Sequence, residues 1–339
     1  MKNRIFIAGG GGYIGTVVSK HFLNKGYKID CLDNFIYKNS FSIDELKKNN
    51  DFKLIYGDLR NEKLLKTSII NCDALIILAG LVGDPITKKY PSLSTDINLN
   101  ATKKLIDISI QNNLKKIIFV STCSNYGLSE TDELLNENAP LKPLSLYAKH
   151  KVEIEKYILS LKNTKNFHPT ILRFSTAFGL SPRMRFDLTI NQFTKSIFLK
   201  EKFEVFDSNT WRPYCHVKDF ALALEKVLET DQKKTSFEVF NVGGDKNNFT
   251  KKQITETILK IIPNNDNVSF TNKKFDPRNY RVDFSKINQK LNFEIKYSVE
   301  EGIEEIIQHL KSFKKKITGL DQNLYGNYII KLWVKKPLT

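Results

Sequence analysis

A chain of 339 residues can bury a large core, and it fits one big α/β domain or two closely packed lobes. Its 53 Lys and Arg against 37 Asp and Glu leave a net charge of +16, but the lysines are scattered along helices beside many Asn residues. They form no basic stripe interleaved with aromatics, which excludes nucleic-acid binding as the main role and leaves small anionic partners.

The first apolar run, Arg4 to Ala8, reads as a short buried strand, followed by a Gly-rich turn and an amphipathic helix over Thr16 to Leu23. Gly9, Gly12 and Gly15 fall at three-residue intervals between them, a pattern that lets backbone approach a pyrophosphate at a helix N-terminus. A second strand, Lys28 to Leu32, ends at Asp33, an acid suited to the ribose hydroxyls of NAD and unfavourable to the 2′-phosphate of NADP. Further strand-like runs at Leu54–Tyr56, Ala74–Leu78, Ile117–Val120 and Pro169–Phe174 alternate with helical ones. That order predicts a parallel sheet with helices on both faces, a Rossmann-type doubly wound α/β fold.

The run from Lys116 to Gly127 is a strand that ends in hydroxyl residues, so Ser121, Thr122 or Ser124 can face a ligand at a strand C-terminus. Tyr147 and Lys151, four residues apart, share one helix face. A neighbouring ammonium draws a phenol down from about 10 toward working pH, where it can act as acid and base. His150 lies in the same turn but points away from that face, and none of the five histidines is assigned to catalysis. Cys31, Cys72, Cys123 and Cys215 have no Cys-x-x-Cys spacing, which predicts reduced thiols and no metal site.

Taken together, these residues resemble the extended short-chain dehydrogenase/reductase family, the nucleotide-sugar epimerases and dehydratases. The glycine pattern, Gly57-Asp58-Leu59, Leu78-Ala79-Gly80, Asn98, Ser121-Thr122 and Tyr147…Lys151 occur in the family's order, and the likeness runs from about residue 3 to 313. It implies NAD as cofactor, a nucleotide-diphosphate sugar as substrate, and Thr122, Tyr147 and Lys151 as the catalytic group. Thr122, 25 residues before Tyr147, would hold the hydroxyl being oxidised. Gly9, Gly12, Tyr13, Ile14, Gly15, Asp33, Asn34, Asp58, Leu59, Ala79, Gly80, Leu81, Asn98 and Ser121 would hold the cofactor, with Tyr147 and Lys151. For the substrate the resemblance implies Thr122, Ser124, Arg212 from Arg-Pro-Tyr-Cys-His-Val, Asp276 and Arg278 from Asp-Pro-Arg, and Asn191. Arginine suits a diphosphate because its planar fork meets phosphate oxygens two at a time.

Departures from the family narrow the reaction. The 4,6-dehydratases carry Asp-Glu after the catalytic Thr, whereas this chain has Cys123 and Ser124, so loss of water is disfavoured. Ser175 stands where many relatives carry Asn, and the segment 179–187 is unusually basic, with Arg183 and Arg185. The expected reaction is 4-epimerisation through a 4-keto sugar. The alternatives are a 4-dehydrogenase or 4-reductase with net redox change, or a dinucleotide sensor without catalysis. A role in surface-polysaccharide synthesis is what the resemblance implies.

The expected organisation is an NAD-binding domain over 1–174, to which segments around 213–243 return, a smaller C-terminal substrate-binding lobe over 175–313, and a basic extension over 314–339. The extension carries Tyr325, Tyr328, Ile329, Ile330, Leu332 and Trp333, able to dock on a neighbour or on the chain's own body. Amphipathic helices are predicted over Lys251–Ile262 and Val299–Phe313 as packing faces. The resemblance implies a homodimer through a four-helix bundle from the helices around 96–112 and 146–161. With the first strand starting at about residue 4 and no apolar run long enough to span a bilayer, a cytoplasmic protein is expected.

Overall fold

The computed structural model describes residues 3–129, 133–263, 266–271, 278–317 and 324–330. Seven parallel strands form the central sheet: β1 Arg4–Ala8, β2 Lys28–Asp33, β3 Phe52–Tyr56, β4 Ala74–Ile77, β5 Lys116–Thr122, β6 His168–Phe174 and β7 Glu238–Val242. Their order is β7-β6-β5-β4-β1-β2-β3. Such strands are covered on both faces, and this is why β4 and β5 are nearly continuous apolar runs with no polar alternation. The chain winds outward in both directions from β1 and β4, so the strand order reverses between them and opens a crevice at their C-terminal ends.

Helix α1, Tyr13–Asn24, leaves the Gly-rich turn and buries Val18 and Phe22 against the sheet. The partner face carries a π-helical turn at Asp96–Ala101, then α2, Thr102–Gln111, and α3, Leu146–Ser160. π turns are rare and concentrate at functional sites, and this one holds Asn98. Ser145 caps α3, its side chain accepting from the Ala148 amide, which fixes where the first turn begins and hence where Tyr147 points.

A buried ionic network then locks α3 to the sheet. Glu155, 2% exposed, accepts hydrogen bonds from Arg173 of β6 (Nη2, 2.7 Å), from Asn125 (Nδ2, 2.8 Å) and from the Ser121 hydroxyl of β5. Burial opposes the charge on Arg173, but Glu155 prevails and holds the guanidinium above its ordinary pKa. Tyr147, Lys151 and Glu155 recur at intervals of four, so this network sets the rotation and height of the face that carries the first two.

The remaining segments build the other wall. Strands Thr176–Phe178, Trp211–His216 and Asn248–Thr250 form a small sheet that carries Arg212. Behind it the helices Thr189–Phe198, Lys251–Ile261 and Val299–Ile317 share an apolar cluster with Ile190, Ile254, Ile303 and Leu310. The helical spacing of isoleucines predicts that cluster. Residues 324–330 of the C-terminal extension pack on the chain's own body: Ile330 is 3% exposed, and Phe186 N donates to Tyr325 O at 2.7 Å. No helix among the described residues is long and apolar enough to cross a membrane.

Breaking the Glu155–Arg173 pair on one side leaves a buried charge uncompensated. Glu155→Ala is expected to lower unfolding free energy by about 3–5 kcal/mol, and Glu155→Leu with Arg173→Leu by less than the single change. Urea unfolding of the three proteins checks both the size and the order.

Candidate active site

One cavity of about 590 Å³ runs across the crevice at the C-terminal ends of β1, β2, β4, β5 and β6. Its first half begins at the Gly-rich turn. Gly9 has φ +85°, and a Cβ there would lie 2.7 Å from the Ala79 backbone nitrogen; a Cβ on Gly15 would meet the Gly9 carbonyl at 2.2 Å. Glycine is therefore required at both places for the turn to close against β4 and for α1 to start beneath it. Gly12, Tyr13, Ile14 and Gly15 at the start of α1 line the cavity, and a helix N-terminus is a ready site for an anion.

Asp33, at the end of β2, borders the same half. Its carboxylate accepts from the Gly11 amide at 2.9 Å and the Phe35 amide at 2.8 Å, which aims it across the turn. Burial pushes its pKa up, and those amides pull the other way. Asn34 donates to Asp58 at 3.0 Å. Burial also opposes charge on Asp58, yet Arg60 bonds it through backbone and side chain and holds it below the usual carboxylate range. Tyr13, Ile14, Leu59, Ala79, Gly80 and Leu81 complete the lining. Asn98 stands behind it: its amide bonds both Leu81 N (2.7 Å) and Leu81 O (2.9 Å), bracing the loop from below.

In the second half, Ser121, Thr122, Ser124, Tyr147 and Lys151 line the wall. The Thr122 hydroxyl accepts from the Ser124 amide at 3.1 Å, which leaves its O–H donor available to a ligand. Ser124 Oγ lies 3.5 Å from the Tyr280 hydroxyl. Cys123 turns inward, its thiol donating to Arg173 O, and burial pushes it up to about 12, which leaves it no acid-base role near neutral pH.

Lys151 donates to Val120 O at 2.6 Å, with its ammonium 5.8 Å from the Tyr147 ring centre and 4.6 Å from that of Phe119. Burial lowers it to about 8, against a smaller pull upward from Glu155. From the spacing alone, Lys151 should draw the Tyr147 phenol down. In the folded protein burial dominates and the phenol is pushed up, with Arg185 opposing and Asp84 reinforcing. A phenolate here thus needs positive charge beyond that of Arg185.

Arg212 and Arg278 close the far end. Arg212 lies over the Tyr280 ring at 5.3 Å, and Arg278 sits 3.4 Å from Asp84. Asn191 does not reach the cavity: fully buried, it bonds the Gly179 amide, the Tyr13 hydroxyl and Arg185 O, holding the wall from behind. Asp276 lies outside the described residues. His150 borders Thr95 at 3.2 Å, away from the cavity, and His216 is bonded to Glu305.

Sequence reasoning missed several lining residues. Arg183, Arg185 and Asp187 come from the basic segment 179–187, Tyr37 from the loop after β2, and Asn327 and Tyr328 from the C-terminal extension. The excess of arginine in 179–187 was the available signal; the Asn327 and Tyr328 contacts had none, because they depend on where the extension folds back.

A family model for the NAD dependent epimerase/dehydratase family matches residues 5–243. A UDP-glucuronate 4-epimerase of Thermodesulfobacterium geofontis is 27% identical over 299 residues, 85% of this chain and 90% of that protein. Among solved structures, UDP-glucose 4-epimerase of Thermotoga maritima with UDP-glucose superimposes with a TM-score of 0.82 at 24% identity, covering 92% of this chain and 99% of that one. UDP-glucuronic acid 4-epimerase of Bacillus cereus, in complex with UDP-glucuronic acid and NAD, gives 0.79 at 24%, covering 91% and 99%. The two structural likenesses speak for the fold. The Gly turn at a helix N-terminus, the aimed Asp33 and the size of the cavity fit NAD, which is the cofactor.

Lys151 carries a stability consequence whose sign is fixed. Its folded pKa, about 8, lies below the unfolded value of 10.5, so the buried charge opposes folding at pH 7 and the penalty fades as pH rises from 8 to 10.5. Lys151→Met is expected to be more stable than the wild type by about 3 kcal/mol at pH 7, with the difference closing toward pH 10.5. Urea unfolding at several pH values measures it; a constant difference would contradict a buried ammonium.

Proposed function

The chain belongs to the NAD dependent epimerase/dehydratase family, and from that premise we propose that it is a UDP-sugar 4-epimerase with Tyr147 as its acid and base. The observation that carries the reading is the common cavity, with Thr122, Tyr147 and Lys151 on one wall between the Gly-rich turn and the Arg212–Arg278 end. The curated relative at 27% identity is itself a UDP-sugar 4-epimerase.

NAD+, when bound, would supply a hydride acceptor for sugar C4 and a positive charge to favour the phenolate. Tyr147 takes the proton of the C4 hydroxyl and later returns one to the reduced sugar, while Thr122 fixes that hydroxyl through its unused donor. Lys151, held by Val120 O, keeps an ammonium close to the phenol and favours its ionised form. Arg212 and Arg278 grip the diphosphate, so that binding energy remote from C4 orients the ring. For epimerisation the 4-keto sugar would turn over on that diphosphate anchor, so that the hydride it gave up would return to its other face. Cys123 and Ser124 provide no carboxylic acid for removing water, which favours this route over dehydration.

The test is a proton NMR time course with UDP-glucose and UDP-glucuronate, each with NAD+. A new anomeric doublet with no growth of NADH absorbance is expected. Loss of the starting doublet with matching NADH growth would make the protein a 4-dehydrogenase instead. Tyr147→Phe should lower kcat by roughly 10²–10⁴-fold while leaving NAD affinity within a few-fold.

The enzyme acts as a homodimer through the outer faces of α2 and α3. These helices are already tied together by a Tyr157–Asp107 hydrogen bond, and Leu159 on the outer side is 39% exposed. Light scattering after size exclusion should give the dimer mass, and Leu159→Glu should shift it toward monomer; a monomeric wild type would sink this part of the reading.

A further inference from the structure

The segment 179–187 is fastened to the Gly-rich turn. Ser181 donates to Tyr13 O at 2.7 Å and shares a 3.0 Å hydrogen bond with Thr16 in the first turn of α1, while the Arg183 amide donates to Ser181 Oγ at 3.3 Å. This places the Arg183 guanidinium over the Tyr37 ring at 5.1 Å, with its charge acting on Asp33. Arg183 therefore borders the half of the cavity that holds the Gly turn and Asp33.

Its partners are incomplete. Arg183 is 3% exposed, and its Nη2 donates to Asn327 Oδ1 at 2.8 Å and Gly326 O at 3.2 Å, both in the C-terminal segment. Its Nε has no hydrogen-bond partner among the described residues. No described carboxylate forms a salt bridge with it, while neighbouring Arg185 is satisfied by Asp187 at 2.6 Å. A buried guanidinium with a donor unmet in a ligand cavity is costly unless an anion completes it. Burial, with Arg185 alongside, pushes its pKa down to about 10 and outweighs the upward pulls of Asp187 and Asp33.

We propose that Arg183 grips the diphosphate of NAD and that residues 324–330 of the C-terminal extension hold it in place for that task. Between a helix N-terminus and the acid that binds the adenosine ribose, the group that must pass is the dinucleotide's diphosphate, and the fork of an arginine matches its oxygens. Asn327 locks the arrangement from three directions: its side chain accepts from Arg183 and donates to Val82 O at 2.9 Å, and its amide donates to Asp187 at 3.2 Å. The extension thereby ties the loop after β4 to segment 179–187 across the cavity mouth. The inference rests on NAD binding and stands whichever sugar is turned over.

Calorimetric titration of the full-length protein, freed of nucleotide, with NAD, ADP-ribose and UDP tests it in the wild type, Arg183→Gln and Asn327→Leu. ADP-ribose keeps both cofactor phosphates and lacks nicotinamide, whereas UDP reports on the substrate end. Arg183→Gln is expected to weaken NAD and ADP-ribose at least tenfold, and Asn327→Leu several-fold, with UDP affinity unchanged and circular dichroism unaltered in both. Unchanged ADP-ribose affinity in either variant overturns the proposal, as does a loss confined to UDP. Should Arg183→Gln fail to fold, Arg183→Lys takes its place, with the same loss expected because a point charge does not reproduce the fork.

Discussion

The active wall depends on one buried ion pair. Glu155 and Arg173 come from a helix and a strand that are neighbours only in the folded chain, and between them they fix how α3 lies on β5 and β6. Two apolar faces alone would let the helix slide or rotate by part of a turn at modest cost, since hydrophobic contact is not directional. A bidentate guanidinium with further bonds from Ser121 and Asn125 permits one arrangement. Ser121 is adjacent to Thr122, and Glu155 lies one turn beyond Lys151. The network therefore registers the hydroxyl of β5 against the phenol and ammonium of α3, in positions where a misplacement on the order of 1 Å costs about a hundredfold in rate.

The cavity also shows where stability is given up for chemistry. Lys151 is charged, nearly enclosed, and bonded to a single backbone carbonyl and the faces of two rings. Such a group is unfavourable to the fold at neutral pH, and its depressed pKa measures that. The same burial drives the Tyr147 phenol upward, so in both partners of the pair burial disfavours the charged form. A positive charge placed beside the phenol would favour its ionised form and disfavour the Lys151 ammonium further.

How far the sequence reveals this depends on distance along the chain. The Gly turn, the acid at the end of β2, and the Tyr147–Lys151 pair are legible because each is a local pattern whose geometry follows from strand, turn or helix periodicity. The sheet follows from the alternation of apolar runs, although β7 is separated from β6 by more than sixty residues and joins through long-range pairing. Glu155 carried a signal in its four-residue spacing from Lys151, but Arg173 had to be brought beside it by the fold. Asn191 is polar and close in sequence to the arginines, yet its amide is consumed by Gly179, Tyr13 and Arg185, and so it holds the wall and stays out of the cavity. The direction of the Tyr147 shift was illegible for a related reason: spacing reports the neighbouring charge but says nothing of the desolvation that outweighs it.

An enzyme that returns the hydride it removes has a particular need of its cofactor. If NADH left while the keto sugar was in the site, the turnover would end as an oxidation, so retention of the dinucleotide is part of the specificity of an epimerase. The extension 324–330 offers a physical means, because it joins two loops from opposite sides of the cavity through Asn327 and buries Ile330 among the residues of the α2–α3 side. Release of a dinucleotide from beneath it would require breaking several hydrogen bonds and exposing an isoleucine in the same event. Those costs fall on dissociation and leave the encounter rate little changed, and most differences in affinity between related complexes arise in the same step.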